Sequence, residues 1–439
     1  MPVMSRSNSG KSSLAPIALL ISMYFPPEPG GGATTAFNRA SILNKIGYSV
    51  FVLCGFPSYP SGKVSEEKYK GKFFYVEEMG DLTIIRLRLL PLKSKGFLRR
   101  FIIYLNFNLL TLLWMPKILR ISLNTQLVYA LAPILFSSLI GFLYSKITRS
   151  LFIYEVSAFW PEELEAFKSR GYFILLHLGK LFAKISYILP DMLVVISHNA
   201  EKYVTANYNT KRQIHVMPIG VDPARYPPRE KEYSRKELIR KNILPEVLEN
   251  KFIVLYAGVI TRVTKVDNIF YAADKLNNNQ DDIGFLVIGE GEEKERLEEF
   301  RKVKGLNNLF LLPFQSYIMV PYIISAADVC VVPLSTGQIY ETTIPTKFFD
   351  YLACNKPQVG ICGGELADII NANKIGVTVK DGEIDKLVYT LTNLKDSPSL
   401  LKCMENNTKV VLQLFSLDTL ASNLKEVLVK RLNQRFYIE

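Results

Sequence analysis

Short, continuously apolar runs recur along this chain, and a helical pattern follows each of them. In the first half these runs are "PIALLISMY", "YSVFVLCGF", "QLVYALAP", "SLFIYEV" and "DMLVVIS". Runs that are apolar on both faces suit parallel strands covered by helices on either side. Strand–helix alternation then means βαβ units in a doubly wound sheet. The pattern pauses at the Pro-rich, charged "MPIGVDPARYPPREKEYSRKELIRKNILPE". It restarts with "KFIVLYAG", "IGFLVIGEG", "NLFLLPF", "DVCVVPL", "PQVGICGG" and "GVTVK". The expected fold class is therefore α/β, with two consecutive Rossmann-like, doubly wound domains facing a cleft. A length of 439 residues suits two domains of about 200 each. The expected divisions are a polar, disordered tail over 1–13, a first domain over 14–220, a linker over 221–250 and a second domain over 251–423.

Charge separates the two halves. Residues 1–220 hold 25 Lys and Arg against 12 Asp and Glu, a net of +13, whereas residues 221–439 hold 28 against 29. The excess implies an anionic partner for the first half. The basic residues form no polybasic arm and no nucleic-acid motif accompanies them, so an anionic membrane surface is favoured over nucleic acid. The five cysteines are scattered and odd in number, which fits a reducing cytoplasm and neither a disulfide framework nor a zinc site. With three histidines in all, no multi-histidine metal site is expected. "SGKSS" near the start resembles a P-loop only superficially: Ser5 stands where its first glycine belongs, and no strand precedes it. The apolar run 14–25 lacks a small-residue cleavage site and reads as a strand, not a leader.

Two apolar segments interrupt the alternation: "FLRRFIIYLNFNLLTLLWMPKILR" and "ILFSSLIGFLYSKI". The uncharged stretch of the first, Phe101 to Pro116, is short for a bilayer span. A buried core helix, a lid and an interfacial helix with snorkelling basic ends all fit it.

Candidate chemistry gathers at strand-to-helix turns. Gly30, Gly31 and Gly32 follow the first strand and precede the first helix, where unpaired N–H groups and the positive dipole end suit a phosphate. The spacing is not G-x-G-x-x-G, so a dinucleotide fingerprint is absent. At the matching place in the second half, Gly258 ends a strand, and Arg262 and Lys265 fill the loop in "YAGVITRVTKVDN". Two such cations suit a diphosphate, though two solvated loop charges are a common alternative. Gly289 and Gly291 stand in another strand-to-helix turn. "YETTIPTKFFDYLACNKPQVG" places Glu341, Lys347 and Asp350 at a helix start, with Thr343, Pro345 and Thr346 supplying turn and cap chemistry. A carboxylate there suits sugar hydroxyls, and the helix N–H groups with Lys347 suit phosphate.

Taken in order, "YFPPEPGGGATT", "YEVSAFWPEEL", "VISHNAEKY", "VMPIGVD", "GEGEEKERLE", "AADVCVVPL" and "PTKFFDYLACNKPQVG" resemble glycosyltransferase family 4 from about Pro16 onwards. These are retaining enzymes of GT-B architecture. The likeness is to a bacterial surface-polysaccharide subgroup that includes L-fucosamine-transferase-like proteins. The resemblance implies a nucleotide-sugar donor, probably UDP-linked, held by the second domain, and a saccharide or polyprenyl-linked acceptor held by the first. It implies no metal or other cofactor, and a location in the cytoplasm, peripheral on the inner face of the plasma membrane. By motif position Arg262 and Lys265 hold the diphosphate, Gly31 and Gly32 meet the donor phosphate or sugar, and Leu312 to Phe314 border the base. Thr343 to Lys347 form the loop under sugar and phosphate, while Gly258 and Gly289 flank the donor. A last helix over about 424–439 crosses back to the first domain.

The chain departs from that pattern twice. Of the family's two acids eight apart, Asp350 fills the second place, but the first falls on Thr342. Either Glu341 takes that place on a shifted loop or no acid does. In "YEVSAFWPEEL", Ser157 and Ala158 replace an Arg-Asp pair, which leaves Glu155, Trp160 and Glu162 as acceptor-side candidates. Front-face transfer needs no nucleophile of the protein, because the departing diphosphate takes the acceptor's proton. The competing functions are a nucleotide-sugar 2-epimerase of the same architecture and a family member that has lost turnover.

Overall fold

In a computed structural model, the residues described are 15–436 apart from 59–61, 65, 93–96, 133–135, 160–161, 163–171, 211 and 278–281. The tail expected over 1–13 lies outside them, as does Trp160. The first round of alternation forms an eight-stranded sheet: β1 (Ile17–Ile21), β2 (Ser49–Gly55), β3 (Phe74–Met79), β4 (Leu82–Leu87), β5 (Thr125–Leu131), β6 (Leu151–Val156), β7 (Met192–Val195) and β8 (Ile214–Val216). Their spatial order is β3-β4-β2-β1-β5-β6-β7-β8. All neighbours are parallel except the β3–β4 hairpin. The second round forms β9 (Phe252–Ala257), β10 (Ile283–Ile288), β11 (Leu309–Leu312), β12 (Val329–Pro333), β13 (Gln358–Ile361) and β14 (Gly376–Val379). This sheet is wholly parallel, in the order β11-β10-β9-β12-β13-β14. Helices cover both faces of each sheet, so the strands are buried on both sides and read as unbroken apolar runs. In each sheet the strand order reverses beside the first strand, between β1 and β5 and between β9 and β12. Ligands of such folds sit beyond the carboxyl ends of the strands at that reversal.

The expected linker is folded. Within 221–250, helix Lys231–Arg240 and the turn Glu246–Leu248 bury Leu238 and Leu248 in the same core as Ile253 and Leu255. Arg235 there donates to Ala326 O (2.9 Å) and to Asp328 Oδ2 (2.7 Å). Its charged composition hid a packed element whose apolar face is two leucines wide. The chain crosses between domains at Met217–Val221 and again at Phe415–Leu417. The crossings are bonded to each other: Val221 N donates to Phe415 O (3.0 Å) and Leu417 N to Val221 O (3.1 Å). Gly220, at φ +72°, permits this contact, since a Cβ would lie 2.4 Å from Leu420 Cδ1. Helix Leu417–Phe436 places Leu420, Leu424 and Leu428 in a core of the first domain with Ala36 and Ala40, and Lys45 Nζ meets Asp418 Oδ1 at 2.7 Å.

The long apolar segment is helix Phe97–Ile121. One side is core, with Phe107 and Ile118 essentially inaccessible. By length and composition Arg99–Ile121 could cross a bilayer, yet its inner side is built into the sheet.

Candidate active site in the interdomain cleft

A cavity of about 470 Å³ opens where the two reversals face each other. The first domain lines it with Tyr24, Gly30, Gly31, Gly32, Arg100, Tyr104, Ser157 and Ala158. The second contributes Val259, Thr261 and the run Thr343–Thr346. Among the described lining residues the only charged one is Arg100, and none is Asp, Glu or His.

Two helix amino-termini meet across this cavity. Helix Gly31–Lys45 begins at Gly30, whose φ of +108° suits glycine, so Gly31 and Gly32 form its first turn instead of preceding it. The first intrahelical bond runs from Thr34 N to Gly30 O (3.2 Å), which leaves the amides of Gly31, Gly32 and Ala33 ahead of it. Helix Thr346–Ala353 starts after Pro345 and closes its first bond from Phe348 N to Pro345 O (3.0 Å). A Cβ on Gly31 would touch Thr346 Cγ2 at 3.5 Å. Two positive dipole ends, one per domain, therefore converge on the same space.

Behind the second helix start lies Lys347, only 9% exposed. Its Nζ donates to Tyr256 OH (2.8 Å), sits over the Tyr256 ring and packs against Gly258. Burial strips water from the ammonium and lowers its pKa to about 7, with Asp350 one turn on pulling the other way. Burial also raises the Asp350 carboxyl to about 7, against a hydrogen bond from Tyr226 and the charges of Arg225 and Lys347.

The other expected site residues are placed variously. Thr343 and Thr346 line the cavity with Gly31 and Gly32. Arg262 and Lys265 are outside its lining: Arg262 Nε meets Glu293 Oε1 at 3.1 Å on the surface, and Lys265 Nζ meets Asp381 Oδ2 at 3.2 Å. Gly289 is needed for strand-end packing, because a Cβ would fall 1.9 Å from Gly258 O. Leu312 ends β11, and neither it nor Phe314 lines the cavity. Thr342 is buried; its hydroxyl donates to Ile339 O (2.6 Å), and its carbonyl accepts from Ser197 Oγ (2.6 Å). Glu341 is exposed and packs on Gly363 and Gly364, so neither residue presents an acid to the cavity.

Glu155, expected on the acceptor side, has a different setting. It is fully buried at the end of β6, bonded by Arg39 Nε and Nη2 (2.7 and 3.0 Å) and by Tyr129 OH (2.5 Å). Arg39 also donates to the carbonyls of Met217 (2.8 Å) and Pro218 (2.9 Å). A buried carboxylate needs such a partner, so this pair ties the glycine helix to the first crossing. Glu162 is buried with Tyr203 and Tyr208 beside Lys180 and Lys184, in a separate cavity of about 240 Å³. The sequence reading missed Arg100 and Tyr104 as cleft residues. Arg100 was visible only as one basic end of an apolar helix.

Residues 238–411 match the family "Glycosyl transferases group 1". WcaI of Escherichia coli K12, named as a colanic acid biosynthesis glycosyl transferase, is 23% identical over 342 residues, 76% of this chain and 80% of its own. The chain is a glycosyltransferase. Sucrose-phosphate synthase of Thermosynechococcus elongatus superposes on the transferase with a TM-score of 0.74 at 16% identity, over 97% of this chain and all of its own. HepE of Anabaena, in complex with UDP-glucose, superposes with 0.68 at 14% identity, over 94% and 99%. The transferase thus has the GT-B fold, two Rossmann-like domains around a cleft.

Proposed function

We propose that this enzyme moves a sugar, with retention, from a UDP-linked donor to a polyprenyl-linked saccharide during surface-polysaccharide assembly at the cytoplasmic leaflet. The observation that carries the reading is the pair of helix amino-termini converging on the cavity with Lys347 behind one of them. That arrangement suits a diphosphate: backbone N–H groups and two dipole ends face it, and Lys347, which does not itself line the cavity, is buried behind one of them against Tyr256 and Gly258. The WcaI relationship supports the pathway, and the UDP-glucose complex of HepE supports the nucleotide.

In this reading the donor itself supplies the base, in keeping with a described lining that contains no carboxylate or imidazole. The sugar's C1–O bond to the diphosphate breaks while the acceptor oxygen bonds C1 on the same face. The acceptor's proton passes to the departing phosphate oxygen. Charge growing on that diphosphate is met by the amides at Gly31 to Ala33 and Thr346 and by Lys347. Tyr104 and Arg100 stand on the acceptor wall.

A thermal-shift panel of UDP, GDP, ADP, CMP and NAD tests the donor class. A ligand that binds only the folded chain raises the melting temperature with its saturation. A shift with UDP alone is expected. A larger shift with another nucleotide would replace UDP in this reading, and no shift with any of them would remove the diphosphate site.

A further inference from the structure

Helices Phe97–Ile121, Ser137–Thr148 and Tyr172–Ile188 form one layer on the first sheet. They share a core through Phe107, Tyr144 and Tyr187. The first touches the second, and the second is tied to the third by Ser138 Oγ and Ser186 Oγ at 2.6 Å. The outer side of such a layer normally carries charge of both signs. Here it carries Leu113 (71% exposed), Leu109 (56%), Leu181 (56%) and Ile147 (51%), together with Leu143 and Ile188. None of the three helices contains Asp or Glu. From Leu82 to Tyr154 the chain has ten Lys and Arg and no acid at all. Exposed Lys117, Arg120, Lys146, Arg149, Lys180 and Lys184 lie among and around the apolar residues.

We propose that this three-helix face rests on an anionic bilayer, with its leucines and isoleucines at the headgroup–acyl boundary and its lysines and arginines on lipid phosphates. Apolar and cationic character on one surface matches a layer that is anionic outside and apolar beneath. A second copy of the chain matches it poorly, since pairing would set two acid-free basic faces against each other. The long helix lies on the bilayer and does not cross it, because Phe107 and Ile118 on its inner side are held in the protein core. The same helix carries Arg100 and Tyr104 to the cavity wall. The cleft therefore opens at the edge of the membrane-facing layer, where a lipid-borne acceptor reaches it without leaving the bilayer. This last step rests on the reading of the acceptor as membrane-borne; the docking face does not.

The test is co-sedimentation of the full chain with vesicles of phosphatidylcholine alone and with one quarter phosphatidylglycerol. Binding is expected only with the anionic lipid, and it should weaken as salt rises. Leu109→Gln with Leu113→Gln should lower the partition coefficient by at least roughly tenfold, from lost apolar insertion. Arg120→Glu with Lys146→Glu, both exposed and away from any buried acid named above, should lower it by a similar factor. Both variants should keep the wild-type melting temperature and UDP-induced shift, which separates loss of docking from loss of fold or donor site. Equal binding to neutral vesicles, or unchanged binding in both variants, would overturn the docking face while leaving the transferase reading intact. A concentration-dependent dimer that Leu113→Gln dissolves would make a second copy the occupant and overturn it too. Anionic binding without any UDP shift would sustain the face and remove the donor reading.

Discussion

Lys347 carries a cost in the free protein that a donor should relieve. Its pKa of about 7 compares with about 10.5 in the unfolded chain. Between these values the unfolded chain holds a proton that the folded chain has released, so stability rises with pH across that window. Below pH 7 the full penalty applies, and a gap of about 3.5 units at about 1.4 kcal/mol each makes it about 5 kcal/mol. Lys347→Met keeps the apolar stem without the charge. It should melt above the wild type at pH 6.5 and converge on it towards pH 10. A diphosphate beside Nζ acts oppositely, favouring the ammonium and raising its pKa. At pH 8 most of the free protein has neutral Lys347, so UDP binding should take up a proton. Calorimetric titration with UDP at pH 8, in buffers of different ionisation enthalpy, reads that uptake. The expectation is a net proton uptake by the wild type and about none for Lys347→Met, whose affinity should fall at least tenfold. No uptake by the wild type, with unchanged affinity in the variant, would refute the placement of the diphosphate against Lys347.

Other expectations concern neighbouring residues. Arg262→Ala with Lys265→Ala should keep UDP affinity within about threefold, since both cations are engaged by Glu293 and Asp381 outside the cavity; a loss beyond tenfold by calorimetry would return the diphosphate to that loop. Arg39→Met leaves Glu155 buried without its partner and should cost about 3–5 kcal/mol, lowering the melting temperature of the first domain by roughly 10 °C. A melt within two or three degrees of the wild type, by the same scaling, would show the pair to be dispensable. Asp350→Asn should flatten the fall in stability between about pH 4 and 7, because the folded carboxyl keeps a proton there that the unfolded chain has lost; an unchanged pH profile of melting would count against its raised pKa. Arg100→Ala should raise KM for a lipid-linked acceptor with UDP binding unaltered, and equal loss of both would place Arg100 on the donor instead.

Eleven of the fourteen strands among the described residues were legible because parallel strands buried on both faces leave an unbroken apolar signal, from "PIALLISMY" to "GVTVK"; β3 and β8 are only partly buried and β4 is broken by Thr83 and Arg86, so those three left no such run. Gly31 and Gly32 were legible as a helix start because loop, glycine and helix are contiguous. Lys347 was legible by type and position but not by burial, which depends on Tyr256 ninety-one residues away. Arg262 and Lys265 looked free because the acids that engage them, Glu293 and Asp381, come from other turns. Glu155 was misread although "SLFIYEV" held a clue: a lone acid in a strand apolar on both faces needs a buried cation, and "TTAFNRASIL" carries one in Arg39. The linker was misread because composition outweighed the spacing of Leu238, Leu244 and Leu248. For the first apolar helix the sequence left core, lid and interfacial readings open, since one stripe of leucines in sequence serves core and surface alike.

The bonded pair of crossings sets how the cleft can move. Two adjacent strands of chain, pinned to each other at Val221, behave as a single axle. The glycine helix is fixed to that axle through Arg39 and through Asn38, whose Nδ2 donates to Gly220 O (2.9 Å). Eight residues separate Gly31 from Arg39, so the helix is a lever arm of about 12 Å between axle and site. Each 10° of rotation then parts Gly31 from Thr346 by about 2 Å, enough to move one helix amino-terminus out of hydrogen-bond reach of a shared phosphate. With the diphosphate placed as proposed above, its two helix amino-termini come from different domains, so any rotation about the axle would take half of the anion site with it.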